Sequence, residues 1–204
     1  MKVPTETDVS QDWVITSLAP EFRLLDVWAL PAEGDAADFD DLVSLMSRFD
    51  PARSESGLTR LLFQVRFRLG GLLGWDDEVS ARPIPGSTQT SLRERLPSDL
   101  RGSADVGPIG DGQRKVGVGF TPVYRTDREW AAELSNATVH GVLHLGWVPR
   151  ADGRYRGQLG VWVAPRGLLG EAYLRLIEPF RRFVVYPAMM RQVERMWAAR
   201  GHVG

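Results

Sequence analysis

Residues 129–164, EWAAELSNATVHGVLHLGWVPRADGRYRGQLGVWVA, decide the fold. They divide into three runs, 129–135, 138–148 and 155–164, separated by Asn136-Ala137 and by a turn at 149–154 that holds Asp152-Gly153. Runs of this length with apolar and polar residues alternating, bounded by turn residues, predict consecutive antiparallel strands. A two-residue hairpin at Asn136-Ala137 pairs Ser135 with Thr138 and sets Glu133 opposite His140. Carried across the next turn, that register puts Leu143 beside Leu159 and His144 beside Gln158. Successive side chains on a strand point to opposite faces. One face therefore collects Trp130, Leu134, Val139, Leu143, Leu145, Trp147, Leu159, Val161 and Val163, and the other Glu133, His140, His144, Arg156, Gln158 and Trp162. The greasy set must be the core face. The polar set faces either solvent or a polar chamber.

Working outward, residues 120–126 add a fourth strand, and after Pro165 a long helix runs to about residue 199, bent at Pro179 and Pro187. Upstream, 23–30 reads as a first strand ended by Pro31, followed by the polar run 32–38 and by Asp38 as a helix cap. From 39 to 49, Phe39, Leu42, Val43, Leu45 and Met46 recur at helical spacing until Pro51. In 58–75, Phe63, Val65, Phe67 and Leu69 alternate with Gln64, Arg66 and Arg68. Its length and the spacing of Leu58, Leu61, Leu62, Val65, Leu69 and Leu72 predict a helix, frayed by Gly70-Gly71. Residues 76–119, rich in Gly, Pro and Ser, predict a long loop with a short helix at 92–96. No internal repeat is visible.

The chain has 204 residues, enough for one well-filled core. We expect a single domain over 21–200 behind an N-terminal extension, 1–20. Lys plus Arg number 25 against 26 Asp plus Glu, so no overall field draws the chain to nucleic acid or an anionic membrane. Cysteine is absent, which excludes disulfides, thiolate metal sites and a Cys nucleophile, and suits a reducing compartment. Residues 1–20 carry no apolar run of signal-peptide type, and 167–197 is interrupted by Glu171, Arg175, Glu178, Arg181, Arg182 and Arg191. No membrane span and a cytoplasmic location are the expectation.

The order strand, two helices, meander, long C-terminal helix resembles the α+β helix-grip fold of the START and Bet v 1-like superfamily (SRPBCC). Four strings are similar to its uncharacterised family DUF2867, a domain of unknown function. They are Leu25-Asp-Val-Trp-Ala-Leu-Pro31, Leu72-Leu-Gly-Trp-Asp76, Asn136-Ala-Thr-Val-His-Gly-Val-Leu-His-Leu-Gly-Trp147 and Ala164-Pro-Arg-Gly-Leu-Leu-Gly170. The resemblance covers roughly residues 21 to 198, and its last two strings are the more specific. It implies a curved antiparallel sheet wrapped around the terminal helix with a cavity between, as in lipid carriers, hormone-binding proteins and polyketide aromatase/cyclases. It implies no reaction, because the superfamily hosts many activities.

Of the candidate site residues, His140 and His144 share a four-residue spacing that would suit a metal on a helix. On a strand, at about 3.3 Å per residue, they lie roughly 13 Å apart, too far for one ion bound at about 2.1 Å, and no metal is expected. Glu133 opposite His140 is within reach of a charge-assisted hydrogen bond and could act as an acid/base pair, or simply decorate a solvated sheet. The seven tryptophans are more readily explained by core packing than by ligand stacking. Tyr124, Tyr155, Tyr173 and Tyr186 could each aim a hydroxyl into a pocket. Arg166-Gly-Leu-Leu-Gly170 lacks a phosphate-loop pattern and reads as the turn from strand to helix. Arg181-Arg182, with Arg175 and Arg191, could hold an anionic head group, although a solvated helix face accounts for them. The Asn136-Ala-Thr138 sequon needs no role beyond its turn.

We therefore expect a carrier-like or sensor-like domain binding a small hydrophobic molecule in a pocket lined by Trp75, Tyr124, Trp130, Leu143, Leu145, Trp147, Leu159, Val161, Tyr173 and Ile177, with no cofactor, no nucleic acid, and a homodimer allowed. The first alternative is a cyclase or dehydratase on a polyketide-like or other hydrophobic substrate, with Glu133 and His140 as acid and base. The second is an accessory domain partnering an oxidoreductase.

Overall fold

The computed structural model describes residues 12–48, 82–105 and 120–200. Within them a five-stranded antiparallel sheet is built from β1 (Arg23–Gly34), β2 (Thr121–Arg125), β3 (Glu129–Ser135), β4 (Val139–Pro149) and β5 (Tyr155–Pro165). The spatial order is β1-β5-β4-β3-β2. The meander is as the alternation predicts, and the first strand of the chain closes it by pairing with the last. The helical elements are α1 (Val14–Leu18), α2 (Phe39–Ser47), α3 (Gly167–Phe180) and α4 (Tyr186–Arg200). A five-residue π-turn, Arg181–Val185, joins α3 to α4. The architecture is the α+β helix-grip arrangement, with the long C-terminal helix packed on the sheet. The helix expected over 58–75 lies outside the described residues, as does the pocket candidate Trp75.

Two local features depart from the sequence reading. Ser135 pairs with His140 rather than with Thr138, and Leu145 rather than Leu143 pairs with Leu159. The cause is the Asn136 side chain, whose Oδ1 accepts from the backbone N–H of Thr138 and Val139 and from the Thr138 hydroxyl, each at 2.9 Å. This Asx-type turn moves the turn one residue along the chain. Because the resulting register shift is two residues, an even number, every side chain keeps its predicted face. The second departure is that β1 does not stop at Pro31. It continues to Gly34 through an irregularity between Ala29 and Glu33, and among the described residues β1 is an edge strand, a place where the missing N–H of Pro31 is tolerated.

Asp38 does cap, but it serves the 3-10 turn Ala36–Asp38, accepting from the Asp35 N–H at 2.8 Å. The short helix expected at 92–96 is a 3-10 turn, Leu92–Arg95, closed by a capping box of Ser91 and Glu94. In the terminal helix, Pro179 removes a backbone donor two residues ahead of the π-turn. Pro187 follows two residues after the π-turn in a continuous helix, so a helical carbonyl one turn back is left without a donor there as well.

The sheet is covered on both faces. On the core face, α4 and α2 close over Trp28, Leu30, Leu145, Trp147 and Leu159 through Phe39, Leu42, Tyr186, Met189 and Val193. A smaller patch forms where Leu174 of α3 meets Val139 and Val163. The other face carries a second apolar layer: Trp13, Ile15, Leu18 and Phe22 from the N-terminal segment and Ile84, Leu92 and Leu96 from the 82–105 stretch. A boundary at residue 20 thus falls inside packed structure, and part of the presumed loop is a wall of the domain.

The Arg166-Gly-Leu-Leu-Gly string does turn β5 into α3. Arg166 ties three segments together, donating to the carbonyls of Asn136 (2.8 Å) and Pro83 (2.6 Å) and to Ser135 Oγ (2.8 Å). Gly170 packs so closely on the β3–β4 turn that a Cβ there would fall on the Thr138 carbonyl oxygen. At Gly146 a Cβ would meet the Trp13 ring, so the glycine makes room for the N-terminal segment.

Candidate functional site

On the polar face, β3 and β4 bring two glutamates onto two histidines. His140 Nε2 lies 2.9 Å from Glu133 Oε2, and His144 Nε2 lies 3.2 Å from Glu129 Oε2. All four side chains are buried, His140 completely. The shifted register makes Glu133 and His140 diagonal rather than directly opposed, and the side chains span the diagonal.

Each carboxylate is also occupied by a segment lying on the sheet. Glu129 accepts from the Val14 N–H at 3.0 Å, the first residue of α1, and from the Tyr124 hydroxyl at 2.8 Å. Glu133 accepts from the Leu92 N–H at 2.9 Å, the first residue of the 3-10 turn, and from the Ser91 hydroxyl. The two glutamates are thus long-range N-terminal caps, supplied by the sheet to the two elements that cover it. Trp13 packs edge-on to His144 and Phe22 edge-on to His140, with ring centroids 5.2 Å and 5.5 Å apart. Each imidazole addresses its own glutamate, so the two do not converge on one point.

On the core face, Trp130, Leu145, Trp147 and Leu159 are fully packed, with Trp147 Nε1 donating to the Asp35 carbonyl at 2.9 Å. Leu143, Val161, Tyr173 and Ile177 share that side of the sheet and are only partly buried. Tyr124 does not join them. A bulge between Pro122 and Tyr124 turns its ring to the opposite face, where it meets Glu129.

Missed by the sequence reading is a buried polar group on the core face. Asp26, 7% exposed, stands in register with Val161, and Val161 in turn with Leu143. Asp26 Oδ2 accepts from Arg181 Nε at 2.8 Å and from the Tyr186 hydroxyl at 3.1 Å. The Tyr186 ring packs on Trp28 with centroids 4.6 Å apart. Arg181, one of the basic residues assigned to a solvated face, therefore points into the fold from the first residue of the π-turn, a kind of irregularity that recurs at functional sites. The indole nitrogens of Trp28 and Trp130 and Nη1 of Arg181 are buried and have no hydrogen-bond partner among the described residues.

Burial, reinforced by the adjoining carboxylates, raises the pKa of Tyr124 well above the ordinary phenol value and raises that of Tyr186. A phenol kept protonated by the fold loses its proton first in the unfolded chain, so stability is full below about pH 10 and falls above it. Denaturant midpoints should hold between about pH 7 and 9 and drop by about pH 11. Two of the four tyrosines should add no phenolate absorbance until the fold is lost.

An open cleft of about 670 Å³ runs between α1 and the 86–97 stretch, lined by Val14, Leu18, Pro20, Glu21, Arg95 and Pro97 among others. Its arginine is satisfied: Arg95 pairs with Glu21 at 2.6 Å and donates to the Leu18 carbonyl and to Gln89. Among the described residues no helix is long and apolar enough to cross a membrane.

No curated protein and no solved structure matches the chain. Its residues 18–188 match the model of the family described as Protein of unknown function (DUF2867), and the chain belongs to that family.

Proposed function

We propose that the protein binds a small hydrophobic organic molecule on the core face of the sheet, between the patch closed by α3 and the patch closed by α4. The observation that carries this reading is the incomplete cover of Leu143 and Val161. They occupy two interior strands, where a filled core would hide them, yet both are partly exposed while Leu145 and Leu159 beside them are fully buried. Tyr173 and Ile177 are partly buried with Val161 against the same cluster, so these side chains offer an apolar surface with few polar groups, the usual composition of a small-molecule site. A carrier or sensor role in the cytoplasm accords with the absence of cysteine and with the nearly balanced charge.

Acid/base chemistry at Glu133 and His140 is less well supported. Both side chains lie on the face away from Leu143 and Val161, and Glu133 already accepts from Ser91, Leu92 and His140. A group holding three donors as a structural cap is poorly placed to exchange a proton with a substrate.

Native mass spectrometry of protein isolated from its own host tests the proposal. A bound small molecule should be retained by the wild type and lost from Val161→Trp, which adds bulk to this face without adding charge. Retention by both proteins, or by neither, would count against it.

A further inference from the structure

We propose that two copies of this chain associate through the outer side of α3, packed antiparallel about a two-fold axis that passes between residues 176 and 177. This surface is separate from the proposed binding face, since Leu174, Tyr173 and Ile177 turn the other side of α3 toward the sheet. Along α3 and the π-turn, Leu168, Ala172, Leu176, Pro179 and Phe183 follow one another at helical spacing and form one stripe. All five are exposed, Leu168 at 89%, Leu176 at 78% and Phe183 at 72%, with Leu169 beside them at 54%. Those three leucines and the phenylalanine are the large hydrophobic side chains exposed among the described residues, so the greasy surface is gathered on one element. Single surface leucines need no explanation, whereas a continuous stripe marks a site of contact.

A row of charges beside the stripe identifies what covers it. Glu171, Arg175, Glu178 and Arg182 stand at i, i+4, i+7 and i+11, along one flank of the helix, with alternating sign. Turned end for end, the row sets Glu171 against Arg182 and Arg175 against Glu178, because both pairs are centred on the same point, between 176 and 177. In an antiparallel contact between two copies every charge therefore meets its opposite, and in a parallel contact every charge would meet its like. The row is not neutralised within its own helix. Among the described residues Glu171 pairs with Arg23 of β1 at 3.3 Å, and Arg175, Glu178 and Arg182 form no ion pair. With both signs equally represented, the flank offers no attraction to an anionic lipid surface, but it complements itself.

From Leu168 to Phe183 the stripe is about 22 Å long at about 1.5 Å per residue. A helix pair of that length lies at the small end of specific interfaces, and dissociation in the micromolar range is expected.

Sedimentation equilibrium of the full chain reads the association as a mass that rises with concentration from 22.8 kDa toward twice that value. Leu176→Glu, whose added charge faces its own copy across the axis, should raise the dissociation constant at least about tenfold. Arg175→Glu and Glu178→Arg each set like charges against one another at two symmetry-related contacts, and each alone should weaken self-association by at least about the same factor. Mixed in equal amounts, these two variants should pair with each other at close to wild-type affinity, because a glutamate then meets an arginine at both contacts. The substituted positions are exposed, circular dichroism checks that the variants are folded, and the mixture carries the test should Leu176→Glu fold poorly. A chain that stays at 22.8 kDa through about 200 μM, or a dimer indifferent to Leu176→Glu, would overturn the proposal. Failure of the two charge variants to associate when mixed would overturn the antiparallel arrangement.

Discussion

Glu133→Ala is expected to lower the free energy of unfolding by about 3–5 kcal/mol, because it strips the acceptor from three buried or half-buried donors at once. The Ser91 hydroxyl, the Leu92 N–H and His140 Nε2 all end on this carboxylate, and His140 has no exposure to water that could replace it. The effect should reach beyond the site. The 3-10 turn Leu92–Arg95 keeps its own capping box but loses its hold on the sheet, and amide hydrogen exchange should accelerate through 91–96 while β4 and β5 stay protected. Glu133→Gln, which keeps the shape and one strong acceptor, should cost less. Urea denaturation of the three proteins measures this. A Glu133→Ala midpoint within about 0.5 kcal/mol of wild type, once converted through the m-value, would refute the capping role.

The second large effect belongs to Asp26. Asp26→Ala leaves the Arg181 guanidinium and the Tyr186 hydroxyl without their common acceptor in the interior, and is expected to cost about 3–5 kcal/mol. Adding Arg181→Met should recover much of that loss, since a buried pair replaced as a unit by apolar atoms is often tolerated. The signature is non-additivity: the double variant should be more stable than Asp26→Ala alone. Additive losses would mean that the two residues are not energetically coupled. The alternative that Arg181 is an ordinary solvated helix residue predicts almost no cost for Arg181→Met.

These effects show where the sequence was informative and where it was not. Alternation in 129–164 was enough to place the meander and both faces, because a two-residue register error leaves face assignment untouched. The register itself was hidden in the Asn136 side chain, whose three hydrogen bonds decide which residues form the turn. The Glu133–His140 contact was legible. Its companion Glu129–His144 was equally so, since the two glutamates and the two histidines share a four-residue spacing and any antiparallel register that joins one pair joins the other. What spacing could not show is that the first segment of the chain and the 82–105 stretch bury both pairs. That cover depends on contacts such as Val14 with Glu129, 115 residues apart, and no local periodicity reports them. The Asp26–Arg181 pair was illegible for the same reason, its members standing 155 positions apart in the sequence. Tyr124 was misplaced by a single bulged residue, because on a strand one extra residue exchanges inside for outside.

Methyl NMR tests the central claim, that the incompletely covered core face is where a ligand sits. Leu, Val and Ile methyl groups are labelled, and benzophenone is added. The methyl signals of Leu143, Val161 and Ile177 should shift together, while those of Val123 and Val142, buried under the other layer of the sheet, should remain in place. Shifts confined to Val14 and Leu18 of the open cleft, or to the Val123 and Val142 face, would contradict the account.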